Sequence, residues 1–541
     1  MSRREVILSA GLVFVVALVA RIVSASFVVF PQPEDTAYYV GVARNLLAGE
    51  GLTSGALWSY QTPPLEFPRP AFEVWLPLPT FLAAFPMAIL GSTFAAAQWS
   101  AIVVGAIVPV LAWRLGADAA RERGLSLGRQ RVLALGAGLT SAVYLPLALH
   151  SALPDSTMPF AALALAACLL MPRILRDVDR VRLTDARLLL LGVLIGLAAL
   201  TRNEAAFVGF AWLVAVWRSA AIGDRRKVEL VALPAAIALA VFAPWMIRDW
   251  IEFGNPLPGQ ALANALSVTG FDIFAWNDPP TLSRYLAEGP GRLLEMRVEG
   301  IGHNLLTVLL LPGLPAALVG LVALPWLVRL RSLAPVAVLS ITIFLVTSLL
   351  FPVSTTWGTY LHAAGPTHVL LVVCALLALD ATIERIGRIR GWTRPVAWLG
   401  ATLTVFGSLL FTAALMPSFG GQSQGLAQRY EALTEQMGAA GMPIAEQDPI
   451  ITNFPVWLAD ATGARALALP NERPADVLDL AAHFGARLLV VHGDSHGIWP
   501  GVLDVGGQDT ECFEEVEIGE SSDPRLAGDL SETRVFRVVC P

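Results

Sequence analysis

The sequence predicts an α-helical polytopic membrane protein with a small soluble α/β domain at its C-terminal end. Three observations predict it. Of 541 residues, 55% are hydrophobic and only 15% charged, whereas a water-soluble globule carries about a quarter charged residues. Apolar runs recur from Val6 to Met416. Past Pro417 the hydropathy falls, and seven arginines stand against 19 Asp and Glu. The net charge of −6 excludes a basic nucleic-acid binder, and four cysteines are too few for a disulfide scaffold or an iron–sulfur protein.

The first run, Val6 to Phe30, exceeds the roughly 20 helical residues a bilayer needs. It reads as a retained signal anchor, because its apolar core is longer than that of a cleavable signal and continues past Arg21. Further runs cover 72–90, 93–113, 132–150, 157–175, 188–200, 205–219, 228–247, 304–328, 333–351, 364–380 and 395–416. If 72–90 spans, every basic cluster between Arg114 and Arg394 falls outside. If it lies on the outer surface, all fall inside, as Lys and Arg in short loops do. Pro77, Pro79 and Pro86 favour the surface element, since each removes a helical hydrogen bond.

Eleven crossings follow, with the N-terminus cytoplasmic and the C-terminal domain extracytoplasmic, in the plasma membrane. Cytoplasmic segments then hold 22 of the 37 basic residues. The transmembrane unit is 1–416, with long outer loops at 31–92 and 248–303, and the outer domain is 417–541. Ser418 to Ser423, with paired glycines among small polar residues, reads as a flexible hinge. In the tail, Pro449–Thr452 and Arg487–Val491 read as buried strands, Pro474–Phe484 as a helix and Thr533–Val539 as a β-rich end. Cys512 and Cys540 share this domain, where an oxidising exterior permits but does not require their pairing; Cys168 and Cys374 read as apolar packing.

Two outer positions invite chemistry. After the first span, Tyr39, Val42, Ala43, Leu46 and Leu47 recur at helical spacing, giving an amphipathic surface helix with Asp35 at its start. Asp35 either caps that helix or serves as a general base at the membrane boundary. The run Leu188–Leu200 rises only about 20 Å, short of the roughly 30 Å of hydrocarbon. The chain therefore turns back near Thr201-Arg202-Asn203-Glu204, inside the protein. Arg202 there either meets an anionic ligand or pairs with Glu204.

The acidic residue after the first span, then Tyr39, Ala43 and a Leu-x-x-Gly ending, resembles the first outer loop of the GT-C glycosyltransferases, nearest in pattern to the protein O-mannosyltransferase and lipid A aminoarabinose transferase group. Pro68-Arg69-Pro70-Ala71 with Trp75-Leu76-Pro77 is similar to that group's basic surface segment, although Ala71 replaces its second proline. Gly192 to Asn203 resembles its glycine-rich helix. Pro244-Trp245 to Pro256 is similar to another segment, with Asp249 in place of the usual Asn. Leu153-Pro154-Asp155-Ser156 resembles the position of a second acidic residue.

The resemblance implies transfer of a sugar from a polyprenyl-phosphate donor to a lipid, glycan or protein acceptor, with inversion. Asp35 would be the base and Asp155 would orient base or acceptor. Arg69, Arg202, Arg248 and Tyr39 would bind the donor, the arginines as bidentate partners for the lipid phosphate. A snorkelling anchor at the headgroups is the other role open to each arginine. No His-x-x-x-His or carboxylate cluster makes a convincing metal site, although Glu34, Asp35 and Asp155 are able to converge on a divalent ion; the nearer resemblance to the O-mannosyltransferase branch than to the oligosaccharyltransferases implies no metal. His303, His362 and His368 give weak signals. Trp357 suits either a sugar ring or the interfacial belt. The rival reading is a transporter or flippase for a lipid-linked glycan; the absence of an internal repeat weighs against it.

Overall fold

The protein was analysed as a computed structural model that describes residues 2–540 apart from 179–180, 220–221, 393–395, 494–496, 500, 520–529 and 531. Arg180, Arg394 and Arg525 lie outside the described residues. The first run folds as α1 (Arg3–Ala25), opened by a reciprocal cap between Ser2 and Glu5. The first outer loop then holds α2 (Glu34–Ala48), the short strands β1 (Thr53–Ser54), β2 (Ala56–Leu57) and β3 (Arg69–Pro70), and α3 (Leu78–Leu90). Gly49 ends α2 in the left-handed region at φ 87°. Thirteen residues make α3 about 20 Å long. It lies against α2 and α4 (Phe94–Glu122).

Next come α5 (Leu127–Val143), α6 (Leu145–His150), α7 (Thr157–Arg176), α8 (Ala186–Ala199), α9 (Ala206–Trp217) and α10 (Asp224–Phe253). Pro146 breaks the helix between α5 and α6, which frees the carbonyls of Ser141 and Ala142. Arg21, wholly buried in α1, donates to both, so this charge inside a span is matched by backbone dipoles. In α8, Gly192 and Gly196 press against α10: a Cβ at either would lie 2.8 or 2.9 Å from the carbonyl of Pro234 or Ala238. Small residues here let two helix backbones approach closely.

The second outer loop carries α11 (Ala261–Leu266), α12 (Leu282–Ala287) and α13 (Gly289–Gly302), which continues into a π-helical stretch, His303–Leu310. α14 (Ala316–Leu327), α15 (Ala334–Leu350), the short α16 (Thr359–Ala363), α17 (Gly365–Ile389) and α18 (Trp398–Ala439) complete the helical unit. Among the described residues, α1, α4, α7, α10 and α18 are long and apolar enough to cross a membrane, with shorter apolar helices α8, α9, α14 and α15 beside them. The chain is a multi-pass membrane protein.

The expected hinge is corrected by the structure. Ser418 to Ser423 lie inside α18, one unbroken helix of 42 residues. Gly420 is needed because the Phe27 carbonyl would lie 2.9 Å from a Cβ there. Ser423 Oγ accepts from the Val29 and Phe30 amides at 3.1 and 2.9 Å. The small polar residues serve helix-to-loop packing, and α18 runs on until Tyr430, Leu433 and Met437 enter the outer core.

In that outer unit, α19 (Pro455–Thr462) and α20 (Pro474–Phe484) flank strands β4 (Ile450–Thr452), β5 (Ala466–Ala468), β6 (Leu488–His492), β7 (Phe513–Val516) and β8 (Thr533–Val538). The sheet order is β2-β5-β4-β6-β8-β7. The pairings from β2 to β6 are parallel, and those of β8 antiparallel. One edge strand therefore comes from the first outer loop, and a shared core joins Tyr38, Trp58 and Phe72 to Ile451, Leu467 and Leu489. Cys512 and Cys540 form a disulfide; Cys168 and Cys374 are buried and free.

Candidate active site

Proline ends the loop before α2 and leaves Glu34 and Asp35 in the helix's first turn, where acidic groups suit the positive dipole end. The outer unit grips this helix. Glu34 Oε1 accepts from the Val456 amide at 3.0 Å in the first turn of α19, and Trp457 Nε1 donates to the Pro31 carbonyl at 3.0 Å. Arg44 pairs with Asp460 at 2.7 Å. Enclosure pushes the Glu34 carboxyl up to about 8, against the opposing pull of the α19 amides.

Asp35 opens on a cavity of about 390 Å³ that Tyr39, Arg202, Glu204 and His362 also line. Its Oδ2 faces His362 Nε2 at 3.4 Å. Across the same imidazole, Nδ1 meets Thr157 Oγ1 at 2.8 Å and faces Asp155 Oδ2 at 3.4 Å. His362 thus stands between the two aspartates singled out from the sequence. Asp155 is buried before α7, and its Oδ1 accepts from the Thr157 amide at 2.8 Å. Burial alone would raise its pKa, but the imidazoles of His150 and His362 hold it below the usual carboxylate range. His362 is raised: burial opposes its charge, and Asp155 and Asp35 outweigh that.

His150, Asp155 and His362 bring their ligand atoms within 4.8 Å of one another. Asp155 Oδ2 and His150 Nδ1 are buried without a hydrogen-bond partner. Two imidazoles and a carboxylate, with His150 Nδ1 and Asp155 Oδ2 unclaimed, fit a divalent ion such as zinc. The sequence reading missed this group because its members lie on α6, on the loop before α7 and on α16. The only sequence signal was that each histidine borders a short outer loop.

Arg202 sits at the turn between α8 and α9, as the short run required. It donates to Glu204 at 2.9 Å, to Ser156 Oγ at 2.9 Å and to the Thr359 carbonyl at 3.1 Å, and still faces the cavity. Tyr39 lines the cavity beside it.

The other two arginines do not converge there. Arg69 is fully buried and gives its guanidinium to Glu73 at 3.2 Å and to the Pro64 and Thr62 carbonyls at 2.9 and 2.8 Å. Three of its N–H groups hold the loop and it does not line the cavity, so the structure does not bring the expected phosphate-binding Arg69 together with Arg202. Arg248 donates to the Ala71 carbonyl at 2.6 Å and to Asp249 at 3.1 Å, and lies over the Trp245 and Phe253 rings. It braces the same loop from outside the cavity lining. A larger recess of about 580 Å³, lined by Arg182, Thr184 and Arg226, brings no acid–base pair together among the described residues.

Residues 69–248 match the family described as Dolichyl-phosphate-mannose-protein mannosyltransferase. No curated protein sequence matches the chain. Solved structures do. The Archaeoglobus fulgidus oligosaccharyltransferase in complex with zinc and sulfate aligns at TM-score 0.53 and 14% identity, over 92% of this chain and 71% of that one. The archaeal oligosaccharyltransferase AglB from Archaeoglobus fulgidus, bound to an inhibitory peptide and a dolichol-phosphate, aligns at 0.50 and 14% over 89% and 69%. ArnT from Cupriavidus metallidurans bound to undecaprenyl phosphate aligns at 0.50 and 15% over 98% of both chains. At such identities the likeness shows the fold: the polytopic helical GT-C arrangement with a smaller C-terminal unit.

Proposed function

We propose that this chain, which has the GT-C fold, is a membrane glycosyltransferase that moves a sugar from a polyprenyl-phosphate donor to an acceptor hydroxyl at the outer face. The observation that carries this reading is one cavity onto which Asp35, the His362 that links it to Asp155, and Arg202 all open. The family match over 69–248 and the similar structures holding dolichol-phosphate or undecaprenyl phosphate support the donor class.

In this reading Asp35 accepts the proton of the acceptor hydroxyl as its oxygen attacks the anomeric carbon. The bond from that carbon to the phosphate oxygen breaks, the configuration inverts, and the phosphate leaves with its electron pair. Arg202 faces that charge; its bonds to Glu204, Ser156 and Thr359 fix its direction beforehand, so little reorganisation is required. His362, braced by Asp155, positions Asp35. A divalent ion, when bound, would be held by His150, Asp155 and His362 and would supply positive charge near the leaving phosphate.

The test is release of polyprenyl phosphate from a panel of polyprenyl-phosphate sugars by the purified protein, with and without acceptor glycans and peptides. Release by wild type and its loss in Asp35→Asn is expected. Equal release by the folded variant, or carriage of intact donor across a vesicle membrane with none released, overturns the reading.

A further inference from the structure

Residues that line this cavity carry polar atoms that the proposed chemistry leaves unused. Gln260 and Asn264 enter it from the second outer loop, and Trp58 from the first. Gln260 donates its amide nitrogen to Ser59 at 2.6 Å, which leaves Oε1 buried and unpartnered. Asn264 Oδ1 and Trp58 Nε1 are also buried without partners. Burying such groups unsatisfied costs free energy, and each asks for a matching donor or acceptor. Two acceptors and one donor in a single cavity match a ligand rich in hydroxyl groups, which give and take hydrogen bonds at once.

An aromatic face completes the arrangement. Trp357 lines the cavity and is 49% exposed, yet is held in place. A Cβ on Gly270 would overlap the Trp357 indole, and Phe271 and Phe274 meet it edge-on at 5.5 and 5.9 Å. A fixed, half-exposed indole beside unpaired amide oxygens offers an apolar face and hydrogen-bond partners to one flat, hydroxylated ring.

We infer that Gln260, Asn264, Trp58 and Trp357 form a subsite for the sugar ring of the donor, and that this ring is neutral and hydroxylated. The inference rests on the glycosyltransferase reading and names the moiety it moves. A ring carboxylate would face two amide oxygens, and the guanidinium of the cavity, Arg202, is already paired with Glu204. A ring ammonium would find no free carboxylate there, since Glu204 is paired with Arg202 and Asp35 lies at the reacting end. The ring belongs to the donor because the subsite shares one cavity of about 390 Å³ with Arg202 and Asp35.

The experiment compares binding of polyprenyl-phosphate glucose, polyprenyl-phosphate mannose and bare polyprenyl phosphate to wild type, Gln260→Leu/Asn264→Leu and Trp357→Ala, each checked for unchanged melting. Wild type is expected to bind at least one sugar-bearing lipid about tenfold tighter than the bare one, as one or two good hydrogen bonds allow. Both variants should lose that gain while binding bare carrier as before. A gain that persists in both variants, or no gain in wild type, overturns the subsite. Carrier release by wild type on the same preparations separates the two readings: release with a persistent gain sinks the subsite alone. Absent release, with a gain that both variants lose, sinks the reaction alone.

Discussion

Arg69 and Arg202 make an instructive pair. Arg69 is fully buried and Arg202 part-buried, and both hold a nearby carboxylate, Glu73 or Glu204. Arg69 sits in a loop closed over itself, and two carbonyls of that loop accept from it. Arg202 sits where two short helices turn back, and the space in front of it is a cavity. What separates the two is exposure: Arg69 is enclosed by its own loop, and Arg202 keeps an accessible face on the cavity.

The largest effect expected is at Asp35, which shares the Arg202 cavity. Asp35→Asn should lower carrier release by about 10²-fold or more, the range for losing a positioned base, with melting unchanged; retained turnover would remove Asp35 from the chemistry. The arginine pair is next. Arg69→Met leaves Glu73 buried and unpaired, which should cost about 3–5 kcal/mol of stability, and Arg69→Met/Glu73→Leu should restore both folding and turnover. The matching Arg202→Met/Glu204→Leu should fold and yet turn over at least about tenfold more slowly, a loss of charge stabilisation. Equal behaviour of the two double variants would dissolve the contrast.

A third prediction concerns the grip of the outer unit on α2. Glu34, its pKa pushed up to about 8 by burial, keeps a proton that the unfolded chain has lost above the ordinary 4.5. Its contribution is therefore full below 4.5 and is lost as pH rises through 8. Melting of wild type should fall from pH 5 to pH 9 more than that of Glu34→Gln, whose amide oxygen still accepts from Val456. Identical slopes would show that Glu34 does not titrate in that window. The smallest effect is expected at Arg248→Lys, which keeps the charge outside the cavity; carrier release should stay within about threefold, a difference under 1 kcal/mol.

Much of the frame was legible because its signals are local. Proline content marked 72–90 as unlike the spans, and the short run before Thr201 required the turn that α8 and α9 make. Strands β4, β6 and β8 and helix α20 fall where alternation and apolar runs placed them. The hinge misled because Gly420 and Ser423 are small for a partner, Phe27 and its neighbours, almost four hundred residues away in the chain. Chain-local composition cannot distinguish a residue that is small to bend from one that is small to fit.

The sequence by itself determined the membrane class, the order of helices, the acidic C-terminal unit and the placing of Asp35 at a helix start, since hydropathy, charge and capping act within a few residues. Only the tertiary structure decided that His150 and His362 flank Asp155, that β2 completes the outer sheet, and that Arg202 meets a cavity where Arg69 does not. Those outcomes depend on which distant groups satisfy a buried polar atom, and that pairing exists only once the chain has closed around it.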